Sequence, residues 1–261
     1  MSHWVVQSAL QGEPGWAAVV PTLERFAIPY SVHEVVPLIG DLIPEPELQT
    51  DEVICIGSYS MRHAARRYGW NPGVFDLAPH GFREQLRHWG EHMLNADSAI
   101  VPLQEAAFVG ARFVRPVEDT KVFTGRIFES EEFTDWRARM LAPDAARYGT
   151  LRAETEVQVS APKDVYQEVR CWVVEGRVVT ASTYKVGAVV TYTDRVDERF
   201  LEFAAELVDP QDGWNPAKAF CLDVCETPGG LKAVEINTIN SSAFYAADMQ
   251  KLVHSLDGLR R

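Results

Sequence analysis

The stretch CLDVCETPGGLKAVEIN, residues 221–237, decides the fold. It reads as the core of two strands, Ala219 to Val224 and Lys232 to Asn237, joined around a Pro-Gly-Gly turn signal. Asp223 and Glu235 are therefore expected on neighbouring antiparallel strands, and the register between them decides the chemistry. A loop with an odd number of residues, such as Pro228-Gly229-Gly230, sets Asp223 opposite Glu235, with Asn237 next along the same face. Facing Cβ atoms lie roughly 4.5–5.5 Å apart, close enough for two carboxylates to share a cation such as Mg2+, which takes oxygen ligands at about 2.0–2.1 Å. An even loop puts the two acids on opposite faces, because side chains alternate with period two along a strand.

Working upstream, residues 167–185 read QEVRCWVVEGRVVTASTYK, two strands joined by the two-residue hairpin signal Glu175-Gly176. That turn pairs Val174 with Arg177, Arg170 with Ala181 and Glu168 with Thr183. Period two then gathers Glu168, Arg170, Trp172, Thr183 and Lys185 on one face and Val169, Cys171 and Val173 on the other. Taken alone, a mixed-charge face is more often solvated sheet surface or a cross-strand ion pair than a site. The conjunction with Asp223, Glu235 and Asn237 is what gives it weight.

The rest of the chain divides in two. Strands at His3 to Gln7, Tyr30 to Val36 and Asp51 to Ile56 alternate with helices at Trp16 to Phe26 and Met61 to Tyr68, the pattern of an open α/β sheet. Phe82, Leu86, Trp89 and Met93 recur at helical spacing and predict a helix from Gly81 through Leu94. A boundary falls near Glu105. Beyond it come hairpins with few helices: strands at Phe108 to Val117, Lys121 to Glu129 and Val157 to Ser160, and helices at Glu132 to Leu141, Glu198 to Val208 and Phe244 to Leu256.

Composition narrows the function classes. Apolar content of 46% and charged content of 24% are ordinary for a folded soluble chain. The formal net charge of −12 disfavours nucleic acid or an anionic membrane as partner, since both need a broad basic surface. A nucleotide needs only a local one, and Arg115, Lys121, Lys163, Arg170 and Lys185 supply basic groups near the candidate site. The four cysteines lack the paired short spacing of a zinc site and read as buried free thiols. The first residues carry no signal-peptide pattern and no run reaches transmembrane length, so a cytoplasmic location is expected.

The motifs together resemble the ATP-grasp superfamily, most closely a clade of small phage-associated and bacterial members named for its conserved arginines and lysine. The matching residues run in the family's order: FVRP at 113–116, KVFTG at 121–125, EVRCWVVEGRVV at 168–179, ASTY at 181–184, Asp223-Val-Cys and EINTIN at 235–240. They span about residues 106 to 250. The resemblance implies a small N-terminal α/β (pre-ATP-grasp) domain over residues 1–105, followed by an ATP-grasp domain over 106–261, a fold of two α+β subdomains holding a nucleotide between them. The first domain would help form the acceptor site.

It also implies roles. Arg115 and Lys121 would contact the nucleotide phosphates, and the backbone of Val157, Gln158, Val159, Ser160 and Ala161 would recognise the adenine edge. Glu168 would reach the ribose or orient Arg170, whose planar donor fork suits a phosphoryl oxygen. Asp223, Glu235 and Asn237 would bind Mg2+, with Arg170 and Lys121 as the catalytic cations. The implied activity is an ATP-dependent carboxylate–amine ligase working through an acylphosphate, acting on small-molecule or peptide acids and amines. A kinase-type phosphotransferase and a non-catalytic ATP-binding regulatory protein are the alternatives. Two features depart from many relatives. Val117-Glu-Asp-Thr-Lys121 holds no glycine and carries two acids, and Gln158 and Ser160 stand where an acid commonly precedes the adenine contact.

Overall fold

A computed structural model describes residues 2–10, 12–118, 123–142, 151–211 and 213–259. The chain forms two compact units, Met1–Ala78 together with Tyr166–Arg261, and Pro79–Val165.

The amino-terminal part of the first unit builds a sheet from β1 (His3–Gln7), β2 (Tyr30–Val35), β3 (Leu42–Ile43), β4 (Glu52–Ile56) and β5 (Asn71–Gly73), ordered β3-β2-β1-β4-β5. β1 is parallel to β2 and β4, and β4 to β5, while β3 runs antiparallel to β2. Helices α1 (Val19–Arg25) and α2 (Met61–Tyr68) fall between these strands. Strand alternation sorts the side chains cleanly. Val5, Val53 and Cys55 pack on Met61, Ala64 and Ala65 of α2, whereas Trp4, Val6, Ile54 and Ile56 join a larger core with Val19 and Leu23 of α1.

The second unit contains α3 (Phe82–Trp89), β6 (Ala99–Pro102), β7 (Arg112–Pro116), β8 (Arg126–Phe128), α4 (Ser130–Met140) and β9 (Glu156–Ser160). Its strands pair antiparallel in the order β6-β9-β7-β8. Val114, Phe128 and Val157 meet Phe133 of α4 in its core, with the Phe128 and Phe133 rings edge to face at 5.4 Å. Helix α3 stops well short of Leu94. Gly90 takes φ +50 and ends it, and residues Gly90–His92 continue as a 3-10 turn.

The chain then returns to the first unit with β10 (Gln167–Val174), β11 (Arg177–Val186), β12 (Val189–Thr193), α5 (Glu198–Val208), β13 (Ala219–Thr227), β14 (Gly230–Thr238) and α6 (Met249–Asp257). These strands form an antiparallel sheet, β12-β11-β10-β13-β14. Trp172, Val174, Ala219 and Cys221 join the same core as Trp4 and Val6, together with Leu252, Val253 and Leu256 of α6. The expected helix from Phe244 begins five residues later. Asp248 caps it by accepting the Lys251 N–H at 3.1 Å, and Tyr245 sits in a left-handed conformation at φ +48 that no helix contains. Among the described residues no helix is long and apolar enough to cross a membrane.

Registers matter most for function. Glu175 and Gly176 both have positive φ, 49° and 70°, so the β10–β11 hairpin closes on the two-residue turn that the sequence signals. Irregularities at Glu168/Val169 and Trp172/Val173 then shift the ladder. Arg170 lies opposite Ser182 rather than Ala181, and Glu168 opposite Lys185 rather than Thr183. Thr183 pairs with Val169 instead and leaves the Arg170 face, its hydroxyl accepting from Gln167 Nε2 at 2.9 Å. In the β13–β14 hairpin, Thr227 pairs with Gly230, leaving the even loop Pro228-Gly229. That loop by itself puts Asp223 opposite Val234. A bulge between Asp223 and Val224 makes Val234 the extra residue, and Asp223 faces Glu235 after all.

Candidate functional site

Arg170 on β10 and Asp223 on β13 are direct register partners, and the guanidinium grips the carboxylate with both arms. Nε to Oδ1 and Nη2 to Oδ2 are each 2.7 Å, and the two residues are 8% and 2% exposed. A fork so deeply buried has lost most of its hydration, and removing either partner of such a pair costs about 3–5 kcal/mol because the other charge is left uncompensated. Asn237, two residues along β14 from Glu235, ties the acids together: its Nδ2 donates to Glu235 Oε1 at 3.1 Å and to Asp223 Oδ2 at 3.3 Å. Glu168 accepts from the Tyr184 hydroxyl at 2.7 Å and from Lys185 Nζ at 2.7 Å. The bulge in β11 is what lets two consecutive residues, Tyr184 and Lys185, both reach it.

Electrostatically this end of the sheet is short of positive charge. Burial pushes the Asp223 carboxyl up, Arg170 pulls it down, and the nearby charges of Glu235 and Glu168 push it up further. Burial also works against the Arg170 charge, but Asp223 more than offsets it and the guanidinium is held firmly protonated. Burial, then the Asp223 and Glu168 charges, raise Tyr184, which therefore stays a neutral donor. Three carboxylates thus face Arg170 and Lys185.

That imbalance favours a cation, and the donor set fits a hard one. Asp223, Glu235 and the Asn237 carboxamide offer only oxygens if the Asn237 amide turns its Oδ1 inward, and such oxygen sets suit Mg2+. Among the described residues no three His, Cys, Asp or Glu side chains form a metal cluster, so the fit rests on two carboxylates and one amide. All four cysteines are buried and free, as their apolar surroundings in the sequence suggest.

The remaining expected nucleotide residues belong to the other unit. Arg115 on β7 lies opposite Gln158 on β9, so the two share a sheet face. Val157 is in the core, Ser98 donates to Gln158 Oε1 at 3.4 Å, and Ser160 donates to Asn95 Oδ1 at 3.1 Å. β9 is an inner strand, and Val157 to Val159 pair on both sides, with β6 and with β7. Ser160 pairs with β7 alone, and Ala161 lies past the strand end. Backbone available to a ligand therefore begins at Ser160 and Ala161. Lys121 lies outside the described residues.

The structure adds one residue that the sequence reading placed inside a helix. Tyr245 stacks on Tyr184 and Tyr192, and Arg170 Cζ lies 5.1 Å from its ring centroid. The available signal was Asp248, a strong N-cap residue that ends the preceding loop.

Three solved structures are similar in fold. The crystal structure of D-cycloserine synthetase DcsG is 12% identical, with 98% of each chain covered and a TM-score of 0.59. A RimK domain ATP-grasp protein from Sphaerobacter thermophilus DSM 20745 is 12% identical over 91% of each chain, with a TM-score of 0.56. The ATP-grasp ligase PsnB complexed with minimal precursor is 15% identical over 98% of each chain, also at 0.56. No curated protein matches the sequence. The profile of an ATP-grasp domain, family 3 of the clade named for its arginines and lysine, matches residues 52–256, a span that includes the Arg170–Asp223 pair, Glu235 and Asn237. The chain belongs to the ATP-grasp family, in that clade.

Proposed function

We propose that the protein is an ATP-dependent carboxylate–amine ligase. A carboxylate attacks the γ-phosphorus of ATP, the bond to the β,γ-bridging oxygen breaks, and ADP leaves with an acylphosphate behind. An amine then adds to the acyl carbon and expels phosphate, losing a proton as the amide forms. The protein contributes position and charge, with no covalent nucleophile of its own.

The observation that carries this reading is the buried Arg170–Asp223 fork lying in register with Glu235 and bridged by Asn237. Asp223, Glu235 and Asn237 would hold Mg2+, which when bound neutralises triphosphate charge. Arg170 would meet a phosphoryl oxygen bidentately, a geometry that lysine cannot copy. Glu168 orients Lys185 and Tyr184 beside it. Arg115, Lys121 and the backbone at Ser160 and Ala161 would serve the rest of the nucleotide.

Product analysis tests the proposal. The purified protein is incubated with Mg·ATP, pooled amino acids and peptides as acids, and hydroxylamine as trapping amine. Acyl hydroxamate formed in proportion to ADP supports the ligase. ADP with a stable phosphorylated acceptor instead shows a kinase, and nucleotide binding without ADP release shows a binding protein.

A further inference from the structure

Asp223 has two tasks in the reaction proposed above: it is the partner that fixes Arg170, and it is a ligand for the cation. Electron density given to a cation weakens its hold on Arg170, a long side chain with much rotamer freedom to regain. A second hold is present in the same unit. The Tyr245 ring lies flat against Tyr192, with centroids 5.0 Å apart and planes at 9°, and against Tyr184 at 5.3 Å and 24°. The Arg170 guanidinium carbon stands over this stack, 5.1 Å from the Tyr245 centroid and 5.9 Å from that of Tyr184. Both distances are within the range at which a ring's negative face attracts a cation, and the attraction strengthens where water is excluded.

The backbone under Tyr245 is fixed as firmly as the ring. The N–H groups of Phe244 and Tyr245 both donate to the Pro14 carbonyl, at 3.0 and 2.9 Å, and the Ala246 N–H donates to Ser182 Oγ at 3.2 Å. Residue 245 is held between them at φ +48, a conformation that a residue with a Cβ keeps only where its surroundings impose it. Simple core filling does not require this. Tyr192, the outer ring of the stack, is 46% exposed, so the rings seal little apolar surface.

We infer that Tyr245 is a positioning residue for Arg170: with Tyr184 it keeps the guanidinium fork in place when Asp223 turns to the cation. The inference rests on the proposed role of Arg170 as a phosphoryl contact. It extends the site to the loop before α6 and to a residue that touches neither metal nor nucleotide.

The test is NMR of the full chain labelled with 15N at arginine, with the Arg170 Nε–Hε signal assigned by its loss in Arg170→Lys. In the free protein the rings displace this signal, and Tyr245→Leu removes most of the displacement while Tyr245→Phe keeps it. A signal unmoved by Tyr245→Leu overturns the contact itself. Asp223→Asn then mimics the loss of the carboxylate charge. Arg170 stays ordered in that variant, and adding Tyr245→Leu speeds its exchange with water by at least about tenfold. Equal exchange rates in the single and double variants overturn the positioning role. Should Asp223→Asn not fold, Mg2+ with the ATP analogue AMPPNP serves as the probe: Arg170 exchange rises in Tyr245→Leu and not in Tyr245→Phe, and no rise overturns the inference. Failure of the parent to bind AMPPNP overturns the ligase reading, while the free-protein signal still decides whether Tyr245 holds Arg170.

Discussion

At the scale of single residues, Arg170 is where a structural and a catalytic role separate most sharply. As a purely structural partner of Asp223, it tolerates lysine at some cost in stability and none specific to the rate. As a phosphoryl contact it does not, because lysine keeps the charge and loses the planar fork. Arg170→Lys is expected to lower turnover at least about tenfold, roughly 1.4 kcal/mol of transition-state stabilisation, with a much smaller change in ATP affinity. ADP release at saturating substrate, beside a binding isotherm, checks it. Glu235→Gln keeps the shape and hydrogen bonding of a half-buried side chain while removing one negative charge, so turnover should fall far more than the unfolding midpoint; a folded variant with parental turnover makes the hairpin merely structural. The residue types of the site were legible because strand alternation places Glu168 and Arg170 on one face from sequence alone. Tyr245 was not, since helical spacing from Phe244 onward hides a backbone that turns left-handed under long-range ties to Pro14 and Ser182.

At the scale of elements, most strands and helices were readable from period and turn chemistry, and the misreadings share one cause. Bulges leave no mark in a hydrophobic pattern. The even loop Pro228-Gly229 alone separates Asp223 from Glu235, and the extra residue Val234 restores their pairing. Short edge strands such as β3 and β5 were also missed, because two or three residues carry no periodicity. Helix α6 offers a direct check on its observed start. Asp248→Ala removes the cap and should cost about 0.5–2 kcal/mol in urea unfolding, whereas a helix beginning at Phe244 leaves Asp248 in mid-helix, where alanine is neutral or stabilising. The core of β13 makes a pH-dependent statement. Burial pushes Cys221 and Cys225 up to about 12 from an ordinary 9.0. Between those values the unfolded chain has released protons that the folded one keeps, so stability present below 9 is lost as pH rises, by up to about 1.4 kcal/mol per thiol per pH unit. Urea unfolding from about pH 8 to 10 should therefore show a steeper alkaline decline in the parent than in Cys225→Ser. Equal slopes would contradict the buried-thiol assignment.

At the scale of the whole molecule, a chain with a net charge of −12 concentrates its buried arginine where three carboxylates converge, which makes nucleotide binding depend on a cation. Binding to the folded state alone stabilises it by about 2.7 kcal/mol at a hundred times Kd, and for a chain of this size each kcal/mol moves the midpoint by about 2–4 °C. The most direct test is thus a melting scan of the parent and Glu235→Gln with millimolar ATP, with and without Mg2+. The account expects the parent midpoint to rise by several degrees with Mg·ATP, to rise little with ATP and chelator, and to lose most of the gain in Glu235→Gln. A parent midpoint unchanged by millimolar Mg·ATP would contradict it.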